Sequence, residues 1–107
     1  MIVVNAIIET NKENIELWKE GITAIENASR KELGCIDYTW SVELNSSNTL
    51  RVTEKWKSMD DLALHFQTPH IFAFQEMVSK DPPKITANFY EVKEVPPPGS
   101  DLTLLDN

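Results

Sequence analysis

Apolar and polar residues follow two different periods along this chain, and the change of period separates strands from helices. The first run, IVVNAIIE at residues 2–9, is rich in β-branched residues and predicts a strand. From Glu13 to Leu33, apolar residues recur at steps of three and four, which predicts an amphipathic helix with Gly34 at its C-terminal end. The stripe consists of Ile15, Trp18, Ile22, Ile25 and Ala28.

The middle of the chain predicts a hairpin followed by two short helices. Residues 36–43 alternate between apolar and polar, NSSN at residues 45–48 is a turn, and TLRVTEKW at residues 49–56 is a second strand. Ser58 with Asp61 resembles a capping box, which opens a short helix. Thr68 followed by Pro69 predicts the start of another helix.

The last strand and the order of elements predict the fold. ITANFYEVKEV at residues 85–95 indicates a strand, and PPPG ends it because proline cannot donate to a strand ladder. The order β-α-β-β-α-β, with the second helix broken by a turn, is the ferredoxin-like α+β plan with an antiparallel sheet. We expect one domain at residues 1–94 and a proline-rich C-terminal tail at residues 95–107.

The first strand also suggests a partner. Alternation places Ile2, Val4, Ala6 and Ile8 on one face and Val3, Asn5 and Ile7 on the other. We therefore interpret the strands as apolar on both faces, whereas a solvated face would be more polar. Helices cover only one face, so we expect a homodimer whose two sheets face each other.

Composition and charge exclude several partners. The chain has 107 residues, 41% hydrophobic and 25% charged, which suits one globular domain. Ten basic and seventeen acidic residues give a net charge of -7, which argues against nucleic acid and against an anionic membrane surface. The sequence has no apolar run long enough to span a membrane and no export pattern at its start, so we expect a cytoplasmic location.

The candidates for chemistry are two histidines. His65 lies on the margin of an apolar stripe and titrates near neutral pH, so it could transfer a proton or be a structural residue. His70 lies in the first turn of the next helix, where the helix dipole favours a neutral ring and a structural role is natural. Their spacing does not match the zinc pair of a helix and no third ligand is evident, so we predict no metal.

The remaining candidates have no chemistry that could be diagnostic alone. Cys35 is the only cysteine, so no intrachain disulfide can form. Asn5 interrupts an apolar strand and either makes a structural hydrogen bond or faces a ligand. No glycine-rich phosphate loop occurs, so no nucleotide or flavin cofactor is predicted. Aromatic residues are mostly packing, although some could line a flat cavity for a planar ligand.

One stretch of the sequence resembles a known family. TEKWKSMDDLALHFQTPHIFAF at residues 53–74 has a strand ending in Glu-x-Trp, a helix led by serine, a histidine, a Thr-Pro-His turn and an aromatic-rich helix. This pattern resembles the antibiotic biosynthesis monooxygenase family, whose element order residues 2–92 follow. Its H-x-x-T-P-H part resembles small quinol monooxygenase-like proteins.

The resemblance implies a fold, an activity and a set of residues. The implied fold is a dimeric α+β barrel, and the implied activity is oxidation of a small quinol or polycyclic phenol by molecular oxygen without a cofactor. The implied catalytic residues are His65, as the base, and Asn5, which would hold an oxygen. The implied substrate-binding residues are Trp56, Phe72, Phe66, His70 and Tyr38, although Trp56 could instead belong to the core.

Related subfamilies leave two alternatives open. Haem-degrading relatives share Asn5, but they carry tryptophan at the position of His65 and a haem-ligating histidine at the position of Gln75, which argues against haem degradation here. The autoinducer-processing isomerases share the histidine pattern and move protons rather than oxygen. A non-catalytic small-molecule-binding module of a stress response is the other alternative.

Overall fold

The chain folds into a four-stranded antiparallel sheet with helices on one face. A computed structural model describes residues 1–99. Its elements are β1 (Ile2–Glu9), α1 (Lys12–Arg30), β2 (Cys35–Val42), β3 (Thr49–Trp56), α2 (Met59–His65), α3 (Pro69–Val78) and β4 (Lys84–Glu91). The strand order is β2-β3-β1-β4, and every pair is antiparallel. The predicted ferredoxin-like α+β fold is confirmed.

The two short helices begin where the sequence predicts. Ser58 caps α2, since its hydroxyl accepts a hydrogen bond from the backbone N–H of Asp61 at 3.1 Å. Thr68 occupies the N-cap position of α3, but its hydroxyl makes no capping bond. It donates instead to the carbonyl oxygen of His65 at 2.7 Å, which ties the end of α2 to the start of α3.

The end of α1 differs from the prediction. The helix ends at Arg30, three residues before Leu33, and Leu33 is almost fully exposed. Gly34 is therefore not the helix-ending residue. A Cβ atom at Gly34 would overlap the side chain of Asp61, so the glycine allows the turn after α1 to approach α2 closely.

The core lies between the sheet and the helices. The inward-facing positions of β1 and β3 are buried, as are Trp18 of α1, Leu62 of α2 and Ile71 of α3. All residues of β4 are exposed, including Ile85 and Phe89 on the helix side. The helices therefore cover the sheet unevenly and leave the helix side of β4 open.

The other face of the sheet is more polar than predicted. Asn88, Asn5, Thr53 and Thr39 lie side by side across all four strands. Apolar side chains on this face come chiefly from β1, where Val3 and Ile7 are half-buried. The interpretation of all strands as apolar on both faces is wrong, because the pattern of β1 does not extend to its neighbours.

The ends of the chain limit two further predictions. The last strand ends at Glu91 rather than at residue 95. The boundary between a domain at residues 1–94 and a tail at residues 95–107 stays a prediction, and residues 100–107 lie outside the described part. Within residues 1–99, no helix has both the length and the apolar character required to cross a membrane.

Candidate active site

An apolar pocket of about 200 Å³ opens between α3 and the uncovered helix side of β4. Its floor is formed by inward-facing residues of all four strands, and its side by Phe66, Ile71 and Phe74. The polar groups on its wall come from Tyr38, Glu54, His65 and Gln75. No lysine or arginine occurs among the described residues that line it, so its recognition chemistry is that of a hydrophobic cavity with a few polar groups.

His65 is held rigidly at the pocket wall. Its side chain is 1% exposed and packs against the Trp56 ring, with the two ring centroids 4.5 Å apart. Tyr38 lies on another side, with a centroid distance of 5.4 Å. The local cause is that the short α2 ends at this residue, with its carbonyl fixed by Thr68.

Glu32 determines which nitrogen of His65 carries the proton. Its Oε2 atom lies 2.6 Å from Nδ1 of His65. An ionised carboxylate only accepts hydrogen bonds, so Nδ1 donates and the neutral ring presents its lone pair at Nε2. Burial lowers the pKa of His65, and Glu32 opposes this shift by hydrogen bonding and by its charge. His65 is therefore a neutral, oriented imidazole near neutral pH.

Glu54 is a second proton-transfer group on the same wall. It lies on β3, its side chain is 10% exposed, and its Oε1 atom is 3.8 Å from Nε2 of His65. Burial raises the pKa of Glu54 to about 7, and the charge of Glu32 adds to the shift. A hydrogen bond from Nε1 of Trp56 to Oε1, 3.0 Å long, partly opposes it. Glu54 can therefore exchange a proton near neutral pH.

Tyr38 supplies a neutral hydroxyl to the site. Its oxygen accepts a hydrogen bond from Nε1 of Trp40 at 3.2 Å, and burial raises the pKa of the phenol far above its ordinary value. The hydroxyl therefore stays protonated at physiological pH.

His70 binds the same carboxylate oxygen as His65, but from the other side. Its Nε2 atom lies 2.8 Å from Oε2 of Glu32, and its side chain is 21% exposed. It does not line the pocket beside β4, and instead borders a second cavity between α1 and α3. Glu32, His65 and His70 thus bring three possible metal ligand atoms within 4.8 Å of one another. The sequence analysis found no third ligand for the two histidines, and the structure supplies Glu32.

The structure separates the other predicted site residues into two groups. Tyr38 and Phe66 line the pocket with His65. Trp56 is fully buried and supports Glu54 and His65 from behind, as the core alternative allowed. Phe72 is 52% exposed and is not among the lining residues.

Asn5 requires a correction, because it does not reach this pocket. It is exposed on the opposite face of β1, between Thr53 and Asn88. Since side chains alternate along a strand, the lining residues Val4 and Ala6 exclude Asn5 from the helix side.

Two carboxylates were missed as site residues. Glu54 had a readable signal, because it takes an inward position in TLRVTEKW, between Val52 and Trp56. A carboxylate in an otherwise apolar row needs a partner or a function. Glu32 had no comparable signal, since its place depends on the turn between α1 and β2.

Comparisons with known proteins place this architecture among related ones. The Antibiotic biosynthesis monooxygenase family matches residues 1–77. A Deinococcus radiodurans structure assigned to the same family has a TM-score of 0.82 at 20% identity, and the match covers 89% of this chain and 95% of that one. A conserved Methanosarcina mazei protein has a TM-score of 0.78 at 26% identity, over 86% of this chain and 92% of that one.

A relative in Synechocystis sp. is an uncharacterised protein that is 39% identical over 54 residues. The matched segment spans 50% of this chain but only 35% of that protein, so this relative does not describe a protein of the same extent.

The fold and the site define a small ferredoxin-like α+β protein with an apolar pocket and an imidazole–carboxylate pair on its wall. The chain belongs to the antibiotic biosynthesis monooxygenase family.

Proposed function

We propose that the chain is a cofactor-independent monooxygenase that oxidises a small quinol or polycyclic phenol with molecular oxygen. One observation carries the proposal most strongly. The neutral His65 presents Nε2 beside Glu54 at the polar part of an otherwise apolar pocket. Family membership supports the same class of reaction.

The pair supplies the proton transfers that such a reaction needs. Nε2 of His65 takes the proton of a substrate hydroxyl, and the resulting phenolate is electron-rich enough to give one electron to oxygen. The superoxide and the substrate radical then join through a C–O bond. Loss of water from the hydroperoxide leaves a carbonyl, and Glu54 or His65 protonates the departing oxygen. The sum is one hydroquinone and one O₂ giving one hydroxyquinone and one water.

The pocket also favours a substrate class. Its wall is mostly apolar and aromatic, and the described lining residues include no cationic side chain. Phosphorylated or carboxylated substrates would have to lose their hydration without gaining a counter-ion, which is costly. A flat, uncharged ring system with a hydroxyl directed at His65 fits better.

Proton-transfer chemistry remains the second candidate. Glu54 and His65 are two titratable groups with pKa values moved towards each other, which would equally suit an isomerase of the autoinducer-processing type. The isomerase predicts incorporation of solvent deuterium into the substrate under nitrogen. A binding module would show saturable binding of an aromatic ligand without turnover.

The homodimer belongs to the same proposal. Val3 and Ile7 on β1 and the 48% exposed Tyr90 on β4 offer apolar contacts on the open face. A facing copy would also pair the row of amides and hydroxyls that includes Asn5. Sedimentation of the Ile7→Asp variant tests this, since a charge at the centre of the interface should give a monomer. A cytoplasmic location stays a prediction.

The decisive experiment measures oxygen uptake with a panel of aromatic hydroquinones in EDTA. We expect labelled oxygen in the product and a loss of rate of about a hundredfold or more in His65→Gln and Glu54→Gln. Glu20→Gln, an exposed change on α1, is the matched control. Equal uptake in the wild-type protein and both site variants would refute the proposal.

A further inference from the structure

The cluster of Glu32, His65 and His70 has a property that the proposed oxidation does not use. We propose that these residues form a binding site for a divalent transition-metal ion, Zn²⁺ in particular, and that the bound ion switches the active site off. The inhibitory part rests on the proposed function, whereas the binding part does not.

The three side chains converge on one point. Nδ1 of His65 and Nε2 of His70 lie 2.6 and 2.8 Å from the same oxygen, Oε2 of Glu32. A ring nitrogen binds a metal along the direction in which it makes a hydrogen bond, so both rings are already aimed at that point. The residues come from the turn after α1, the end of α2 and the start of α3, which fixes them independently of one another.

A small rearrangement would make room for the ion. Ligand atoms around a tetrahedral zinc lie about 3.3 Å apart, given metal–ligand distances of about 2.0–2.1 Å. The two observed distances are shorter, so the cluster is closed by hydrogen bonds in this structure. Withdrawal of the carboxylate by less than about 1 Å would open it. Glu32 can make this movement because its side chain is part of a turn and is 16% exposed.

The chemistry and the access of the site suit a transition metal. Two imidazoles and one carboxylate are a ligand set that zinc uses with an open fourth position. A second cavity of about 250 Å³ between α1 and α3 reaches His70 and leaves room for a water ligand there. The ionised Glu32 compensates part of the metal charge at a site that is otherwise largely buried.

Occupancy would disable the base. Coordination at Nδ1 of His65 displaces the proton from that nitrogen, and the neutral ring then carries its proton on Nε2. Nε2 is the atom that faces Glu54 and the pocket. A ring protonated there is a donor and cannot take the substrate proton, so the ion inhibits the proposed reaction rather than assisting it.

The test begins with metal binding by the chelator-treated full chain. Calorimetry with Zn²⁺, together with the visible absorption of Co²⁺ in four-coordinate sites, should show one ion per chain. His70→Gln removes one ligand but keeps a neutral hydrogen-bond donor to Glu32, and it should weaken binding by at least about tenfold. Glu20→Gln removes an exposed carboxylate and should bind like the wild-type protein. Equal binding by the wild-type protein and His70→Gln would overturn the proposal.

The second arm measures oxygen uptake with an active hydroquinone while Zn²⁺ is added. Uptake by the wild-type protein should fall as the site fills and return with EDTA, whereas the uptake of His70→Gln should not respond at that concentration. Stoichiometric zinc binding with unchanged uptake would overturn the inhibitory part. An absence of uptake in EDTA with every hydroquinone would refute the proposed oxidation and leave the binding result standing.

Discussion

Trp56 donates its indole N–H to the carboxylate of Glu54 at 3.0 Å, and both side chains are almost completely buried. The two residues are two positions apart on one face of β3, so the strand itself aligns donor and acceptor. This bond helps to explain how an acidic group is tolerated inside the domain. It also holds Glu54 beside His65, where the proposed proton transfer occurs.

Loss of that donor should destabilise the protein in a pH-dependent way. Trp56→Phe keeps an aromatic ring but leaves the carboxylate without its N–H, which should cost about 1–3 kcal/mol of unfolding free energy above neutral pH. Near pH 5 the carboxyl is protonated and the cost should be smaller, because the lost bond no longer supports a charge. Urea unfolding at both pH values measures the difference, and a cost independent of pH would contradict this account.

The raised pKa of Glu54, about 7 against an ordinary value of 4.5, predicts a second pH effect. Because the folded state holds this proton more tightly, the group's contribution is complete below about pH 4.5 and is lost as the pH rises through about 7. Glu54→Gln does not titrate. Its unfolding free energy relative to wild type should therefore increase by up to roughly 3 kcal/mol between about pH 5 and pH 8.

The comparison at equal pH matters because His65 acts in the opposite direction. Burial lowers its pKa, so its contribution is present above its ordinary pKa and is lost as the pH falls through the region between the ordinary and the folded value. His65 is present in both proteins, so its direct effect largely cancels in the difference between wild type and Glu54→Gln. A constant difference across the pH range would show that Glu54 does not titrate as argued.

The fold was predictable because its signals are local, whereas the site depends on contacts between distant segments. The strand TLRVTEKW and the helix starts at Ser58 and Thr68–Pro69 match the structure, since periodicity and capping are properties of short sequences. Glu32 reaches His65 across 33 positions, through a turn that no periodic pattern describes. Asn5 fails for another reason, because alternation showed which residues share its face but not which face the helices cover.

Gly34 offers a prediction about that turn. A Cβ atom there would overlap the Cβ and Cγ atoms of Asp61, which lie close to the backbone of α2, so Gly34→Ala should destabilise the domain by about 1–3 kcal/mol. Gly21→Ala is the matched control. Its Cβ would meet the flexible end of Met77, and alanine is the better residue inside α1, so it should cost much less. Thermal unfolding of both variants tests this, and equal losses would contradict it.

Cys35 should be unreactive in the folded protein. Burial raises the pKa of its thiol to about 11, and the nearby carboxylates of Glu32, Asp37 and Glu54 add to the shift. The thiolate fraction at neutral pH should then be about a hundredfold below that of an unperturbed thiol. The rate of reaction with a disulfide reagent, measured with and without urea, checks this. The unfolded chain should react much faster, and equal rates would show an accessible, ordinary thiol.

Phe66 and Phe72 distinguish the pocket in the structure from the one implied by resemblance. Both are partly exposed, at 41% and 52%, but only Phe66 lines the pocket, where its ring lies 6.5 Å from that of Phe89. Phe66→Ala should raise the KM for an aromatic hydroquinone by roughly three- to tenfold, as expected for a lost ring–ring contact of about 0.5–1.5 kcal/mol. Phe72→Ala should change the KM by less than about twofold, since the lost ring contacts no substrate. Steady-state oxygen uptake measures both, and a larger effect at Phe72 would move the binding site away from the pocket beside β4.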